Sequence, residues 1–328
     1  MRHDILPPKL SILVTHYNYN KYLSALLDNI KEQSIKDNAE VVIVDDCSDV
    51  SPEAILRQPI YKDLNIVFIQ NETRLYTKNT RLKAIEAATS ELVTFVDADD
   101  RFFGTSVLEM LVNVMIHEDA DLLHFNLMHR NRNSCEGTVT GSWHSPFAER
   151  LKGDEVFNAY VENSCRAHTV YGKIFKRSLW MKCMEIAKRS KVLRYQEDFF
   201  LMSLLFYHSQ NYFGSEMIGY LQNTDPSRGN EAHVKAHGRL ATSYHMLSEL
   251  IPYFVANGAD ESLIEKFKNS VINSLKINFL ALLDGTIQSE NLSHCEYGVA
   301  VNKILDKMSE YTDKETFLRI LLTHIKSC

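Results

Sequence analysis

The chain has 328 residues, 45% of them hydrophobic and 24% charged, the balance of a globular protein long enough for one large domain or two smaller ones. Its formal net charge of -6 argues against a nucleic-acid partner, because a basic surface supplies most of that affinity. No apolar run approaches the roughly 20 residues of a membrane span. The six cysteines form no CxxC pair, which argues against a zinc framework. Scattered along a chain with no secretory leader, they are expected as reduced thiols in a cytosol.

From residue 10 to 126 two kinds of segment alternate. "LSILV", "EVVIV", "NIVFI", "ELVTFV" and "DLLHF" are short apolar runs rich in branched residues. They lack strict apolar–polar alternation, as expected of strands buried on both faces. Between them, "NKYLSALLDNIKEQ" places Tyr22, Leu23, Leu26, Leu27 and Ile30 on one helical stripe, and "TRLKAIEAATSE" does so with Leu82, Ile85 and Ala88. This alternation predicts an α/β fold, a mostly parallel sheet with helices on both faces.

Residues 127–170 change character. "MHRNRNSCEGTVTGSWHSPF" is polar and weakly periodic, and reads as a long excursion from the sheet, a place where function often lies. "VYGKIFKRSLW" reads as a strand entering a helix, "EDFFLMSLLFYH" as an apolar helix opened by two acids, and "NTDPSRGNEAH" as a loop. From about residue 236 onward every segment reads as helix. The expected organisation is an α/β domain over 1–235 and a helical region over 236–328.

Ligands of open α/β sheets bind at the carboxyl ends of the strands. Three apolar runs here end in polar clusters: Thr15-His16-Tyr17-Asn18, Asp45-Asp46-Cys47-Ser48 and Asp97-Ala98-Asp99-Asp100. Parallel strands would bring them to one edge. Residues i and i+2 of an extended segment point the same way, so Asp97 and Asp99 can face one cavity. Two ionised carboxylates there raise each other's pKa unless a cation sits between them. Mg²⁺ or Mn²⁺ suits such ligands and commonly takes one or two carboxylates plus substrate phosphates. An acidic turn capping the next helix is the plainer reading of the same string. Asp45 and Asp46 also divide, between a turn bonded to nearby backbone and recognition of a nucleobase imide.

Taken in order, these clusters resemble the family 2 glycosyltransferases of the GT-A fold. The resemblance covers "SILVTHYN", "VVIVDDCS", "TRLKAIEAATSE" with Ser90 in place of a Gly, "FVDADD", "GKIFKRSLW" and the Glu197-Asp198 pair, over about residues 9–230. It implies a metal-dependent, inverting transferase that moves a sugar from a nucleoside diphosphate, a UDP-sugar by preference, to a hydroxyl of a glycan or lipid-linked glycan in cell-surface polysaccharide synthesis. By position it assigns Thr15, Tyr17, Asp45 and Asp46 to the donor nucleotide and Arg81 to the nucleotide or its diphosphate. Asp97 falls to the ribose or the metal, Asp99 to Mn²⁺ or Mg²⁺, and Asp198 to the general base beside Glu197. Leu82 and Ala84 depart from the family's usual Asn and Gly near Arg81. Lys78 is a second candidate cation for the diphosphate.

Other residues invite roles. His233 and His237 lie four apart, a spacing that puts them on one helix face, and either could complete a metal site or be an ordinary solvated histidine. Arg228 could close over the diphosphate or be surface charge. Trp143 and His144 could stack on a sugar ring, while Trp180 reads as core. In "KETFLRILLTHIKS", Phe317, Leu318, Leu321, Leu322 and Ile325 form an apolar stripe flanked by Lys314, Arg319 and Lys326. Packing on the chain itself or on a second subunit is expected, with docking at the inner face of a membrane the alternative. Among other enzyme classes, a nucleotidyltransferase would want a Gly-rich phosphate loop after the first strand, and "THYNYNKY" has none. A phosphoryl-transfer site with a nucleophilic Asp usually follows the first strand, not a later one. A sugar-nucleotide binding or scaffold protein without turnover is the non-enzyme alternative.

Overall fold

The computed structural model describes residues 8–131, 137–139, 144–189, 193, 195–224, 232–289, 297–308 and 314–325. The chain divides into two compact units, Met1–Lys188 with Leu201–Pro226, and Arg189–Phe200 with Ser227–Cys328. The stretch Arg189–Phe200, which the sequence places in the first domain, therefore groups with the C-terminal helices.

The first unit is built on strands β1 (Leu10–His16), β2 (Ala39–Asp45), β3 (Asn65–Gln70), β4 (Leu92–Phe95), β5 (Arg101–Phe102), β6 (Leu122–Asn131), β7 (Gly137–Val139), β8 (Arg150–Lys152), β9 (Lys173–Lys176) and β10 (Asn211–Thr224). They form one sheet in the order β3-β2-β1-β4-β9-β6-β10-β5, with β7 on β6 and β8 on β10. The five runs read as strands are β1, β2, β3, β4 and β6. β1 runs parallel to both β2 and β4, and β2 parallel to β3. β9 runs against both β4 and β6, so the sheet is mixed and not wholly parallel.

Helices α1 (Asn20–Lys31), α2 (Glu53–Leu56), α3 (Tyr76–Ala87), α4 (Val107–His117), α5 (Asp154–Glu162) and α6 (Arg177–Arg189) accompany the sheet. α1 buries Leu23, Leu26, Leu27 and Ile30 at helical spacing in one core with Ile12, Val14, Val41 and Ile43. Trp180 is core, packed 5.4 Å from the Phe95 ring and 5.5 Å from Phe175.

A buried carboxylate sets the turn from α3 into β4. Glu40 Oε1 accepts from Ser11 Oγ at 2.5 Å, Thr89 N at 2.6 Å and Ser90 N at 3.3 Å, and Oε2 accepts from Thr89 Oγ1 at 2.9 Å. Ser90 N also donates to Ser11 Oγ at 3.2 Å. Ser90 thus holds its turn through hydrogen bonds to the β1–β2 pair. That fixes where β4 enters, and so where its acidic end emerges.

Helix α7 (Glu197–His208) follows; then α8 (Ala232–His245), a π-helical turn Met246–Leu250, α9 (Ile251–Ala256), α10 (Glu261–Ser289), α11 (Tyr297–Met308) and α12 (Lys314–Ile325) form the helical unit. Its core joins Ala236, Leu240, Leu275, Phe279, Leu282, Ile304, Leu305 and Met308. Phe317 and Leu321 of the apolar stripe are buried in that core with Leu318 against it, while Leu322 is 45% exposed. Most of the stripe therefore packs on its own unit. No described helix is long and apolar enough to cross a membrane.

Candidate active site

Parallel pairing decides what meets what. Because β1, β2 and β4 run in one direction, Thr15–Asn18, Asp45–Ser48 and Asp97–Asp100 all leave the sheet at the same edge. The ladder continues past the strands: Asp46 N donates to His16 O at 2.8 Å, Asn71 N to Asp45 O at 2.8 Å, and Val96 N to Leu13 O at 3.1 Å.

The two aspartates after β2 play different parts. Asp45 is fully buried and accepts from His16 Nδ1 at 2.7 Å and from Ser48 Oγ at 2.5 Å and Ser48 N at 3.1 Å. Ser48 Oγ in turn accepts Asn18 N at 2.8 Å, which ties the first loop to the second. Asp46 accepts from Asn71 Nδ2 at 2.9 Å and from the backbone N–H groups of Leu75 at 2.7 Å and Tyr76 at 2.8 Å. Asp45 thus bonds its own turn, as the plainer reading expects, whereas Asp46 reaches the segment after β3, 25 to 30 residues on, and anchors the start of α3. Thr15 is half-buried beside them in register with Val44. The Tyr17 ring lies 3.8 Å beneath the exposed Arg74 guanidinium, which also sits 4.9 Å from the Tyr76 ring.

Backbone strain gathers at this edge. Asn18 (φ 55°), Cys47 (φ 62°) and Tyr76 (φ 61°) all adopt the left-handed region without being glycine. Such residues cost about 1–3 kcal/mol each and persist where their surroundings over-determine them, typically at ligand sites.

At the end of β4, Asp100 turns inward. Its Oδ2 accepts from Tyr220 Oη at 2.7 Å and its Oδ1 from Asn223 N at 2.8 Å. Burial, and then the charges of Asp97 and Asp99, push the Asp100 carboxyl well above its ordinary pKa. Asp97 is 37% exposed and lies 3.7 Å from Arg81 Nη2. Arg81, buried on α3, also sits 5.9 Å from the Phe95 ring. Asp99 is 9% exposed, and its backbone oxygen accepts Asn223 Nδ2 at 2.7 Å. Lys78 is buried and donates to Ala187 O at 2.8 Å near the end of α6, where a cation complements the helix dipole.

These acids suit a divalent cation that arrives with phosphates. Among the described residues no three His, Cys, Asp or Glu side chains could hold a metal by themselves. Asp97 and Asp99 offer two carboxylates on a strand end where Asp100 already feels their combined charge. Mg²⁺-type sites commonly use one or two carboxylates and complete their shell with substrate oxygens and water.

Glu197 and Asp198 open α7, Glu197 buried and Asp198 half-buried, just after Gln196 in the left-handed region (φ 57°). They belong to the second unit. Trp143 and Arg228 lie outside the described residues, as does the side chain of His233. Sequence reasoning did not find Tyr220 and Asn223, which hold the acidic loop. Both lie on β10, whose two glycines and register shifts between Ser215 and Tyr220 blur a strand pattern.

Fold and site together define a GT-A protein: a mixed α/β sheet with a D-x-D-D string leaving a strand beside two other polar strand ends. The model of the family described as glycosyl transferase family 2 matches residues 11–171, and that segment of the chain belongs to the family. An uncharacterised glycosyltransferase of Methanocaldococcus jannaschii is 29% identical over 117 residues, 35% of this chain and 40% of that protein. The poly(ribitol-phosphate) β-N-acetylglucosaminyltransferase TarS of Staphylococcus aureus is 38% identical over 94 residues, 28% of this chain and 16% of TarS. The chain thus spans less than half the length of these curated relatives in the matched stretches. The crystal structure of TarS 1–349 superposes with a TM-score of 0.62 at 19% identity, covering 94% of this chain and 82% of that one. The same TarS fragment solved with UDP-GlcNAc gives 0.55 at 18% identity, covering 95% and 92%. A mannosyltransferase from Pyrobaculum calidifontis, solved with GDP-Man and Mn²⁺, gives 0.55 at 17% identity, covering 98% and 88%. At these identities the structural likeness establishes the fold.

Proposed function

We propose that the protein is a metal-dependent, inverting glycosyltransferase that moves a sugar from a nucleoside diphosphate, a UDP-sugar by preference, to a hydroxyl of a cell-surface glycan or lipid-linked glycan. The observation that carries this is the convergence of Thr15, Asp46 and the Asp97–Asp99 pair on one sheet edge, with Arg81 beside Asp97. The family of residues 11–171 supports the reading. So do the ligands bound by proteins sharing the fold, UDP-GlcNAc in one and GDP-Man with Mn²⁺ in another. TarS, a relative by sequence, is named as an N-acetylglucosaminyltransferase of poly(ribitol-phosphate).

In this reading the nucleobase and ribose lie against the loops after β1 and β2, which Asp45, Ser48 and Asp46 hold in shape. Asp97 and Asp99 would hold Mn²⁺ or Mg²⁺, which when bound would offset the charge that develops on the leaving diphosphate. Arg81, fixed beside Asp97, adds a buried positive charge at the same place. The acceptor hydroxyl loses its proton as it attacks, and Asp198 is the carboxylate assigned to take it.

The test is sugar-nucleotide hydrolysis and binding by the full chain with and without Mn²⁺. Mn²⁺-dependent release of UDP from a UDP-sugar is the expected result. Binding without turnover, even with acceptor glycans present, would instead mark a sugar-nucleotide binding or scaffold protein. No binding of any nucleoside diphosphate would end the reading.

A further inference from the structure

At the far ends of β6 and β10 the first unit gathers three buried side-chain atoms with no hydrogen-bond partner: Nδ1 of His129, Nδ1 of His144 and Oε1 of Gln222. They are neighbours. Gln222 stands opposite His129 in the parallel β6–β10 register. The His129 and His144 rings are 6.0 Å apart, and His144 is 6.4 Å from the Tyr171 ring. Gln222 Nε2 closes the circle by donating to Tyr171 Oη at 2.9 Å. Buried polar atoms are nearly always paired in folded proteins, so three unpaired ones in one place mark a spot that takes up water or a ligand.

The cluster lies one ring away from the acidic loop. Tyr171 stacks on Tyr220 at 4.9 Å with 14° between the planes. Tyr220 Oη accepts Asp97 N–H at 3.1 Å and donates to Asp100. In sheet order the cluster sits on the opposite side of β4 from β1 and β2. A sugar nucleotide with its base near β1 and β2 and its diphosphate at the acids therefore carries its hexose toward this corner. The loop leading in is strained: Ser164, Cys165 and Ala167 have φ of 58°, 53° and 61°.

The donor set is neutral. Burial foremost, then the positive charge of Lys173, His168 and His129, lowers His144 to about 4, and burial lowers His129. Lys173 itself is buried and donates to Thr169 O at 2.7 Å. His124 Nε2 donates to His144 O at 3.0 Å and fixes the backbone that carries the ring. A neutral imidazole offers one donor and one acceptor, and Gln222 Oε1 a further acceptor. Beside the Tyr171 ring, this uncharged set matches hydroxyls on a sugar ring better than a phosphate, and among the described residues no third His, Cys, Asp or Glu joins the two imidazoles to hold a metal.

We propose that His129, His144 and Gln222, with Tyr171, form a subsite that recognises hexose hydroxyls and selects the sugar. The proposal rests on the glycosyltransferase reading above. The hexose belongs to the donor or to the acceptor, and calorimetry with the full chain separates the two. In Mn²⁺, UDP, GDP and their hexose conjugates are titrated into wild type and into His129→Asn, His144→Gln and Gln222→Met. Variants that hold UDP or GDP within twofold but lose at least tenfold of the extra affinity conferred by the sugar place the donor hexose here. An intact sugar increment with loss of methyl-hexoside binding to the nucleotide-loaded protein places the acceptor. Unchanged binding in both arms by any two folded variants overturns the subsite while leaving the glycosyltransferase reading intact. A wild type that binds no nucleotide at all overturns both.

Discussion

Tyr220 and Asp100 meet across 120 residues of chain, with Tyr220 Oη donating to Asp100 Oδ2 at 2.7 Å. The same oxygen accepts Asp97 N–H at 3.1 Å, so one hydroxyl fixes both ends of the acidic string. Tyr220→Phe leaves a buried carboxyl and a backbone N–H each short of a partner. An unpaired buried polar group costs about 1–3 kcal/mol. The expected result is a lower melting temperature in thermal denaturation and a weaker response to Mn²⁺ with UDP present. A variant that melts and binds like wild type would show that the acidic loop needs no such brace.

Arg81 and Asp97 make the case for a cation in a second way. A guanidinium at 3.7 Å offsets one carboxylate, yet Asp100 is pushed up first by its burial and then by the charge of Asp97 and Asp99. A bound divalent ion would relieve that repulsion. Wild type should therefore gain more thermal stability from UDP with Mn²⁺ than from UDP alone, a ligand at a hundredfold excess over its dissociation constant adding about 2.7 kcal/mol to the ligand-free protein. Chelation should remove the gain, and Asp99→Asn should never show it. Equal shifts with and without Mn²⁺ would remove the metal from the site.

Much of this was legible in the sequence. Buried parallel strands announce themselves as unbroken branched runs, and "LSILV", "EVVIV" and "ELVTFV" became β1, β2 and β4. Polar residues directly after such runs gave the site's edge. The partners of those residues were not legible. Asp46 bonds Asn71, Leu75 and Tyr76 after β3, and Asp100 bonds Tyr220 and Asn223 on β10. These pairings span 25 to 123 residues and follow from sheet order, which local periodicity does not encode. β9 escaped as an antiparallel strand because direction is a property of the pairing, not of "KIFK" itself.

Asp46→Ala should separate anchoring from recognition. It removes the acceptor for three hydrogen bonds at the start of α3. The backbone N–H groups of Leu75 and Tyr76 then lose their partners, and a loss of about 2–4 kcal/mol is expected from groups of this kind. Equilibrium urea unfolding measures it. A change below about 0.5 kcal/mol, the range of ordinary surface substitutions, would mean that the loop does not depend on this carboxylate.

The pH dependence of stability should carry the mark of His144. Its folded pKa is lowered to about 4, against an ordinary value of 6.5. Between these values the unfolded chain binds the proton more readily, so stability falls as the pH drops from 6.5 toward 4. His144→Gln, which cannot titrate, should flatten the melting temperature over that window. An unchanged pH profile would mean that this ring is protonated without penalty and is open to water.

Asp198 gives the sharpest division between chemistry and fold. It stands in the first turn of α7, where an acid stabilises the helix by about 0.3–1 kcal/mol, so its removal should barely alter melting. If it takes the acceptor proton, Asp198→Asn should lower kcat by about 10²–10⁴. Nucleotide affinity should stay near wild type, since the donor contacts assigned here lie on loops after β1, β2 and β4. Glu197→Gln is measured beside it, because Glu197 is buried and precedes the assigned base, and a smaller loss of kcat than in Asp198→Asn is expected. Steady-state transfer assays with parallel calorimetry read both quantities. Undiminished kcat in Asp198→Asn would pass the proton to another group, and a matching loss of donor affinity would recast Asp198 as a binding residue.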